Sequence, residues 1–461
     1  MSAASDGKVT DTARTLSAFA AGLTFDRLPA DVVELGKMFI ADYVAAIYAG
    51  IRINAGFNAA MLDITRNQSG GAEASVFGLD ERLSAEAAAF MNAVYAHGAD
   101  MDDGNRKAMG HVAAHVMSAV FALAEATGGH DWKDVMTAII VGYEVYNRVA
   151  AMAQPGLVRR GFHSTGTAGA VACGAACAKL LGLDADGVYS AIGIAAIQAS
   201  GLIIIAESGQ ALKPLNPANA ARTGIVSAKL ASKGVAGPAL PLESQKGWLH
   251  AMTDAVHYEM LDGLGEAFTI SESYLKPYPS CRHTHCGIDA AVRLHESVDP
   301  AEIEAINVHI YPNAIKLAGL RYPKDQDETK FSIPYTMACA LLNGSYGIAD
   351  MDPPRMTEEV KALIGKTNLI PDETMEDRAR GIRGTRVEVV SRNGQTVAET
   401  VLVPKGDPEN PLTRDDIVNK LRVCAQGQSS ENNLMKLVQS IERIEGDSVF
   451  ENPMKIIGAM E

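Results

Sequence analysis

The chain has 461 residues, 47 % of them hydrophobic and 21 % charged, which is close to the globular average and excludes disordered and fibrous proteins. Its formal net charge is −14 and the sequence has no basic stripe, which argues against nucleic acid or an anionic membrane surface as a partner. The length predicts two or three domains. Six irregularly spaced cysteines predict reduced thiols, no secretory signal is recognisable, and the apolar runs are too short to span a bilayer. We therefore expect a cytoplasmic protein without a membrane segment.

Apolar residues at helical spacing dominate the first 260 residues and predict one helix after another. The first of these is expected to be capped by Asp26, and later helices begin near Ser84 and near His111. Further helices are predicted over residues 132–151, 165–181 and 185–198. The last two are so rich in Ala and Gly that neighbouring backbones are expected to approach closely. The pattern predicts no strand before residue 300 and no internal repeat.

The pattern changes after residue 300. Residues 305–311 alternate as a half-buried strand does, and two alternating runs, 386–391 and 396–403, predict a hairpin around Asn393-Gly394. Helices are predicted in this part over residues 333–342 and 357–365, and a proline-flanked linker over residues 404–411.

These elements predict a mainly α fold built from two domains. A large all-helical domain is expected over residues 1–265, and a smaller α+β lid domain over residues 266–408. The C-terminal segment, 409–461, opens on a helix capped by Thr413 and is expected to return to the helical domain.

The densest polar segment of the helical half is residues 97–107, HGADMDDGNRK, followed by histidines at 111 and 115. Three interpretations are open here: a solvated loop between helices, a divalent metal site and an acid/base site. His111 and His115 lie one helical turn apart, but the glutamate of a HExxH zinc motif is absent. The residues of a divalent-metal hydrolase at this place would be His97, Asp100, Asp103 and His111.

Three further segments place titratable groups beside turns. His163 directly precedes a Ser/Thr helix start, where free backbone N–H groups attract anions. Lys213 stands in an apolar, proline-punctuated turn, where an ammonium group is costly unless it binds an anion. The segment KPYPSCRHTHC, residues 276–286, contains two cysteines and two histidines, but not at the spacing of a zinc finger.

Taken in this order, the segments resemble the MmgE/PrpD family, which contains 2-methylcitrate dehydratase, cis-aconitate decarboxylase and iminodisuccinate epimerase. The matching pieces are HGADMDD with a histidine eight residues later, GFHSTGT, KPLNPANAARTG, KPYPSCRHTH and KFSIPYTMACALLNG. The resemblance implies an all-helical domain with a smaller α+β lid, a homodimer, and a site between the domains. It also implies that no metal and no organic cofactor is needed.

Carried over position by position, the resemblance implies catalytic roles for five residues: Asp100, His111, His163, Lys213 and Tyr322. The expected substrate-binding residues are Lys276, which heads the lid motif, Arg106 and Lys107, which add positive charge beside the first motif, and Cys281. Cys281 stands where the decarboxylases carry a histidine, and Asn216 and Ala218 stand where the family usually has His and Gly.

The reactions of the family make or break a C–H bond near a carboxylate. This chemistry needs a base close to the carbon and cations that hold the developing enediolate charge. Imidazole suits proton transfer at neutral pH, so His111 and His163 are the expected acid/base pair, with Asp100 orienting a histidine. Lys213 and Lys276 are expected to anchor carboxylates. His97 and His115 are expected to have packing roles.

We therefore expect a cofactor-independent lyase acting on a small di- or tricarboxylate, in the first place a hydro-lyase similar to 2-methylcitrate dehydratase. Decarboxylation of the cis-aconitate type and epimerisation of the iminodisuccinate type are the alternatives within the family. The alternative from another class is the divalent-metal hydrolase described above.

Overall fold

The first part of the chain folds into packed helices. The computed structural model describes residues 11–206, 211–351, 354–377, 382–444 and 449–457. The helices of this first part are α1 (Thr12–Gly22), α2 (Ala30–Arg52), α3 (Ala55–Gln68), α4 (Ala85–Gly98), α5 (Ala113–Thr127), α6 (Trp132–Ala153), α7 (Gly156–Arg159), α8 (Ser164–Leu180), α9 (Ala185–Ala196), α10 (Leu215–Ser232) and α11 (Trp248–Met252). The prediction that Asp26 caps the first of the expected helices is wrong. Asp26 lies in a separate 3₁₀ turn, and α2 begins only after Pro29.

Small residues let the central helices approach one another, as the Ala- and Gly-rich runs predicted. Helix α8 contacts α5, α6, α9 and α10. A Cβ atom added at Gly174 in α8 would lie 2.9 Å from the carbonyl oxygen of Ala191 in α9. One added at Gly224 in α10 would lie 2.1 Å from the Cβ of Cys173. None of the helices in the described part of the chain combines the length and the apolar character of a bilayer-spanning segment.

Short strand pairs occur before residue 300, so the prediction of no strand there is wrong. The strands are β1 (Ala74–Ser75), β2 (Arg82–Leu83), β3 (Gly104–Asn105) and β4 (Ser273–Tyr274). Strand β1 pairs with β2, and β3 pairs with β4, both antiparallel. Two residues are too few to show an alternating pattern, so these pairs leave no periodic signal in the sequence. The β3–β4 pair ties the polar segment after α4 to the chain just before Lys276.

The α+β part follows. Its helices are α12 (His285–Leu294), α13 (Pro312–Ala318), α14 (Gln326–Thr329), α15 (Ile333–Asn343), α16 (Ile348–Met351) and α17 (Glu358–Lys366). Its strands are β5 (Ile303–Ile310), β6 (Thr367–Pro371), β7 (Glu376–Asp377), β8 (Ile382–Arg383), β9 (Thr385–Ser391) and β10 (Thr396–Val401). The main sheet has the order β10-β9-β5-β6, with β5 and β6 parallel and the other pairs antiparallel. The predicted hairpin is confirmed, because β9 and β10 pair around Asn393-Gly394 and Gly394 has a φ of 81°.

The last helices are α18 (Arg414–Ala425), α19 (Glu431–Glu442) and α20 (Pro453–Ile457). Thr413 caps α18, as predicted. Apolar side chains of α18 and α19, among them Leu421 and Leu437, belong to the same core as the helices of the first part. A second core lies within residues 286–401. A mainly α fold with a smaller α+β part, as expected from the sequence, is confirmed.

Candidate active site

Asp103 organises the loop that joins α4 to α5. Its Oδ1 accepts hydrogen bonds from the backbone N–H groups of Val112 (3.1 Å) and Ala113 (2.9 Å), and its Oδ2 accepts one from Tyr143 (2.7 Å). Burial and the neighbouring Asp102 carboxylate raise the pKa of Asp103 to about 7. Asp103 therefore caps the start of α5 and fixes the loop on which the other polar groups stand.

Asp100 binds two lysines that come from distant parts of the chain. Its Oδ1 lies 2.7 Å from Nζ of Lys213, in the turn before α10, and 2.9 Å from Nζ of Lys276, just after β4. Lys276 also donates to the backbone carbonyl of Asp100 at 2.9 Å. Burial alone would raise the pKa of Asp100, but the two ammonium groups outweigh it and hold the pKa well below its ordinary value. The carboxylate is therefore ionised at neutral pH.

Asp102 lies between two imidazoles. Its Oδ2 is 2.8 Å from Nδ1 of His97, and its Oδ1 is 3.3 Å from Nδ1 of His111. Burial alone would raise the pKa of Asp102, but the two imidazoles outweigh it and keep the pKa well below the ordinary value. Burial lowers the pKa of His97 to about 4 and also lowers the pKa of His111. At neutral pH the site thus holds an ionised Asp102 beside two uncharged imidazoles.

His111 lies between Asp102 and the ion pair of Asp100 with Lys213. While its Nδ1 faces Asp102, its Nε2 lies 3.5 Å from Nζ of Lys213 and 3.6 Å from Oδ1 of Asp100. The Lys213 ammonium only donates hydrogen bonds, so the lone pair belongs on Nε2 and the ring proton on Nδ1, on the side of Asp102. His111 is therefore an imidazole whose basic nitrogen faces an ammonium group.

His163 stands on the other side of His97, with the two ring centroids 6.4 Å apart. It directly precedes α8, and its backbone N–H donates to the carbonyl of Gly201 at 3.0 Å. Its Nδ1 lies 2.9 Å from the side-chain nitrogen of Asn216. Burial, followed by the charge of Lys213, holds the pKa of His163 well below its ordinary value.

A narrow cleft lies beside this cluster, between the helical part and the α+β part. Its lining residues are His97, Gly98, Asp100, Ile205, Ala211, Lys213, Pro214, Asp327, Lys330 and Phe331. Lys330 crosses the gap: its Nζ lies 2.5 Å from Oδ1 of Asp327 and donates to the carbonyl of Gly98 at 3.0 Å. The α+β part therefore supplies one wall of the cleft and a cation beside it.

The structure thus brings together five residues that the sequence singled out: Asp100, His111, His163, Lys213 and Lys276. Cys281 lies within electrostatic reach of them, because burial and then the Asp100 carboxylate raise the pKa of its thiol. His115 is fully buried against Tyr146, with its ring centroid 5.0 Å from the tyrosine ring.

Three other predicted site residues stand elsewhere. Arg106 contacts Asp407 (3.2 Å) and Glu409 (2.5 Å), both in the linker before α18. Lys107 contacts Glu272 (2.9 Å) on the protein surface. Tyr322 has 47 % of its surface exposed, and its hydroxyl lies near Gly365.

Sequence reasoning missed Asp102 and Asn216 as contributors and gave His97 a packing role in the lyase and a ligand role only in the hydrolase alternative. His97, Asp102 and His111 offer ligand atoms within 4.8 Å of one another, so among the residues that the structure describes this set, and not the one with Asp100 and Asp103, could hold a metal ion. No spacing rule connects these three residues, because a tight turn with Asp100 at a φ of 52° brings them together.

Comparison with known proteins agrees with this architecture. Residues 14–261 match the model of the MmgE/PrpD N-terminal domain, and residues 278–443 match that of the MmgE/PrpD C-terminal domain. Because these matches cover most of the chain, the chain belongs to the MmgE/PrpD family. The family resemblance seen in the sequence is confirmed.

Curated relatives align over almost their whole length. The chain is 29 % identical to the cis-aconitate decarboxylase-like protein oryM of Aspergillus oryzae, with 91 % of each chain covered. It is 28 % identical to cis-aconitate decarboxylase of Aspergillus terreus, with 92 % of each covered. It is 27 % identical to the human cis-aconitate decarboxylase, with 94 % of this chain and 92 % of the human protein covered. The expectation of an enzyme of the lyase class is confirmed.

Proposed function

We propose that this member of the MmgE/PrpD family is a cofactor-independent carboxy-lyase that acts on a small unsaturated tricarboxylate or a related dicarboxylate. Support comes from relatives that carry the name cis-aconitate decarboxylase and from the polar cluster at the cleft. The sequence alone favoured a hydro-lyase. The relatives shift the proposal to decarboxylation.

The observation that carries the proposal is the sharing of one Asp100 oxygen by Lys213 and Lys276. Each ammonium group has three donors, so both can bind a substrate carboxylate without releasing Asp100. Lys276 is buried and Lys213 is half-buried, and in such a setting a charge-assisted hydrogen bond is stronger than in water. In a protein with a net charge of −14, such a focused pair of cations is what a polyanionic substrate needs.

The proposed reaction needs one proton. The bond between a carboxylate and its neighbouring carbon breaks, its electron pair stays on that carbon, and carbon dioxide leaves. A proton is then delivered to the carbon. His111 is the proposed donor, since a bound polyanion favours its protonated form and Lys213 lies beside its Nε2. Asp102 orients the ring and stabilises the imidazolium form.

The remaining predicted residues have supporting roles in this proposal. Arg106 joins the loop after β3 to the linker before α18, and Lys107 pairs with Glu272, so we assign both to holding the parts of the molecule together. Cys281 is proposed to contact substrate from the α+β side. No role is proposed for Tyr322.

Incubation of the purified enzyme with cis-aconitate in D₂O, followed by proton NMR, tests the proposal. Decarboxylation gives a product that has one carboxylate fewer than the substrate and one deuterium bound to carbon. Reaction only with hydroxy-tricarboxylates, giving alkene signals, would replace the proposal by a hydro-lyase. Deuterium exchange into unchanged substrate would replace it by an epimerase. The matched variants are His111→Gln, expected to be inactive, and His130→Gln on the loop after α5, expected to keep full activity.

A further inference from the structure

The amide of Asn216 is held in one orientation. Its Nδ2 lies 3.3 Å from the carbonyl oxygen of Leu202 and 2.9 Å from Nδ1 of His163. A backbone carbonyl only accepts hydrogen bonds, so the NH₂ group, and not the amide oxygen, must stand at this place. Turning the amide over would bring its oxygen against the Leu202 oxygen and lose that bond.

This orientation determines the state of His163. Because the NH₂ group donates toward Nδ1, that nitrogen must carry a lone pair, and the ring proton lies on Nε2. Adding a second proton at Nδ1 would place two donors face to face at 2.9 Å. Nε2 is hydrogen-bonded to none of the described residues, so its N–H remains free to meet a ligand.

We propose that Asn216 is a positioning residue that holds His163 as a neutral imidazole with its proton on Nε2. In this state His163 donates a hydrogen bond to the negative charge that develops on the substrate. It takes no part in proton transfer. A neutral imidazole can act in this way as an electrophile. The expected acid/base pair of His111 and His163 is thereby replaced by two separate roles. His111 alone exchanges the proton, and His163 acts only as a hydrogen-bond donor.

The two histidines differ in what faces Nδ1. In His111 it is the Asp102 carboxylate, which requires a proton on Nδ1 and stabilises an imidazolium. In His163 it is the Asn216 amide donor, which opposes an imidazolium. The other groups that act on His163 are Lys213, Asp100 and the neutral rings of His97 and His111. Lys213 also disfavours a charge on His163, whereas Asp100, which is already paired with two lysines, favours one.

The test reads the ring nitrogens directly. A long-range ¹H–¹⁵N correlation spectrum of the full chain, labelled with ¹⁵N in its histidine rings, separates the two tautomers and the imidazolium. The His163 signals are identified by their loss in His163→Gln. We expect an amine-type Nε2 and an imine-type Nδ1 throughout the neutral range. A proton on Nδ1, or an imidazolium at neutral pH, would overturn the inference.

Asn216→Asp is the main variant, because a carboxylate only accepts and should draw a proton onto Nδ1. Asn219→Asp is its matched control: it adds the same charge one turn further along α10, where the Asn219 side chain bonds Leu215 and Arg222. The tautomer should change in the first variant and not in the second. If Asn216→Asp does not fold, Asn216→Ala should show both tautomers together. An unchanged single tautomer in either Asn216 variant would sink the inference.

Turnover gives a second, separate measurement. The wild type and Asn219→Asp should share one pH profile. In Asn216→Asp, kcat should fall as the pH rises and His163 loses its Nε2 proton, by about 10²-fold or more, the usual cost of one lost donor to a developing anion. An unchanged profile would contradict the role assigned to His163. Only this turnover measurement rests on the proposed function. The tautomer of His163 is measured without substrate, so its result is independent of the proposed function.

Discussion

Replacing Asp100 by Asn isolates the charge that binds two lysines. Asp100 has a φ of 52°, a left-handed conformation that asparagine adopts readily, so the variant keeps the backbone and the side-chain shape. What it removes is the negative charge 2.7 Å from Lys213 and 2.9 Å from Lys276. The buried ammonium group of Lys276 and the half-buried one of Lys213 then remain side by side without their counter-ion.

The expected loss of stability follows from this geometry. Two unit charges 4 Å apart interact by about 4 kcal/mol at an effective dielectric of 20, and desolvation offsets much of this gain. Removing one partner of a buried ion pair nevertheless costs about 3–5 kcal/mol, because the other charge stays buried. Since Asp100 serves two cations, we expect a value at the upper end of this range.

Urea denaturation of the substrate-free protein at neutral pH measures the effect. The control is Glu86→Gln, which removes a partly exposed carboxylate 2.7 Å from Lys229 and should cost no more than about 1 kcal/mol. The two ammonium groups keep the pKa of Asp100 well below its ordinary value, so its stabilisation is lost only as the pH falls. The difference between wild type and Asp100→Asn should therefore shrink on acidification. A loss below about 1 kcal/mol at neutral pH would refute the reasoning.

Three further predictions follow from the same contacts. Lys420→Met should lower the free energy of unfolding by about 3–5 kcal/mol, because it leaves the buried Asp42 without the ammonium group 2.6 Å away. Adding Asp42→Asn should restore part of the loss, and purely additive effects of the two substitutions would contradict this. Binding of cis-aconitate at neutral pH should take up a proton, because burial lowers the pKa of His111 in the free enzyme and the bound negative charge raises it. In calorimetry, the heat of binding should depend on the buffer in the wild type and not in His111→Gln. Chelation should leave turnover unchanged, whereas stoichiometric metal whose removal abolishes activity would assign His97, Asp102 and His111 as ligands.

The sequence predicted that some of these side chains would lie close together, but not how they would pair. Lys213 and Lys276 could be assigned to one site because each stands in a segment that resembles the family. Their convergence on a single oxygen of Asp100 depends on a left-handed turn and on the β3–β4 pair, and neither has a periodic signal. The same pair explains Arg106 and Lys107, which follow β3 directly and are directed to the linker and to Glu272.

The pairing of Asp102 with two imidazoles lay beyond sequence reasoning for a related cause. Nothing in the spacing of His97, Asp102 and His111 distinguishes a buried cluster from three solvated side chains. Their burial is set by the helices around them, and burial decides both their protonation and their partners. The element types were easier, because helices with an apolar face and the Asn393-Gly394 hairpin carry strong local signals.

Lys420 has a consequence for the order in which the enzyme is made. Its ammonium group bonds the carbonyl of Met101, in the middle of the loop that carries Asp100 and Asp102, although 319 residues separate the two along the chain. On the ribosome, the α+β part is synthesised in full before α18 emerges. Until α18 emerges, the loop that carries Asp100 and Asp102 lacks its hydrogen bond from Lys420. The site therefore reaches its final form only in one of the last steps of synthesis and folding.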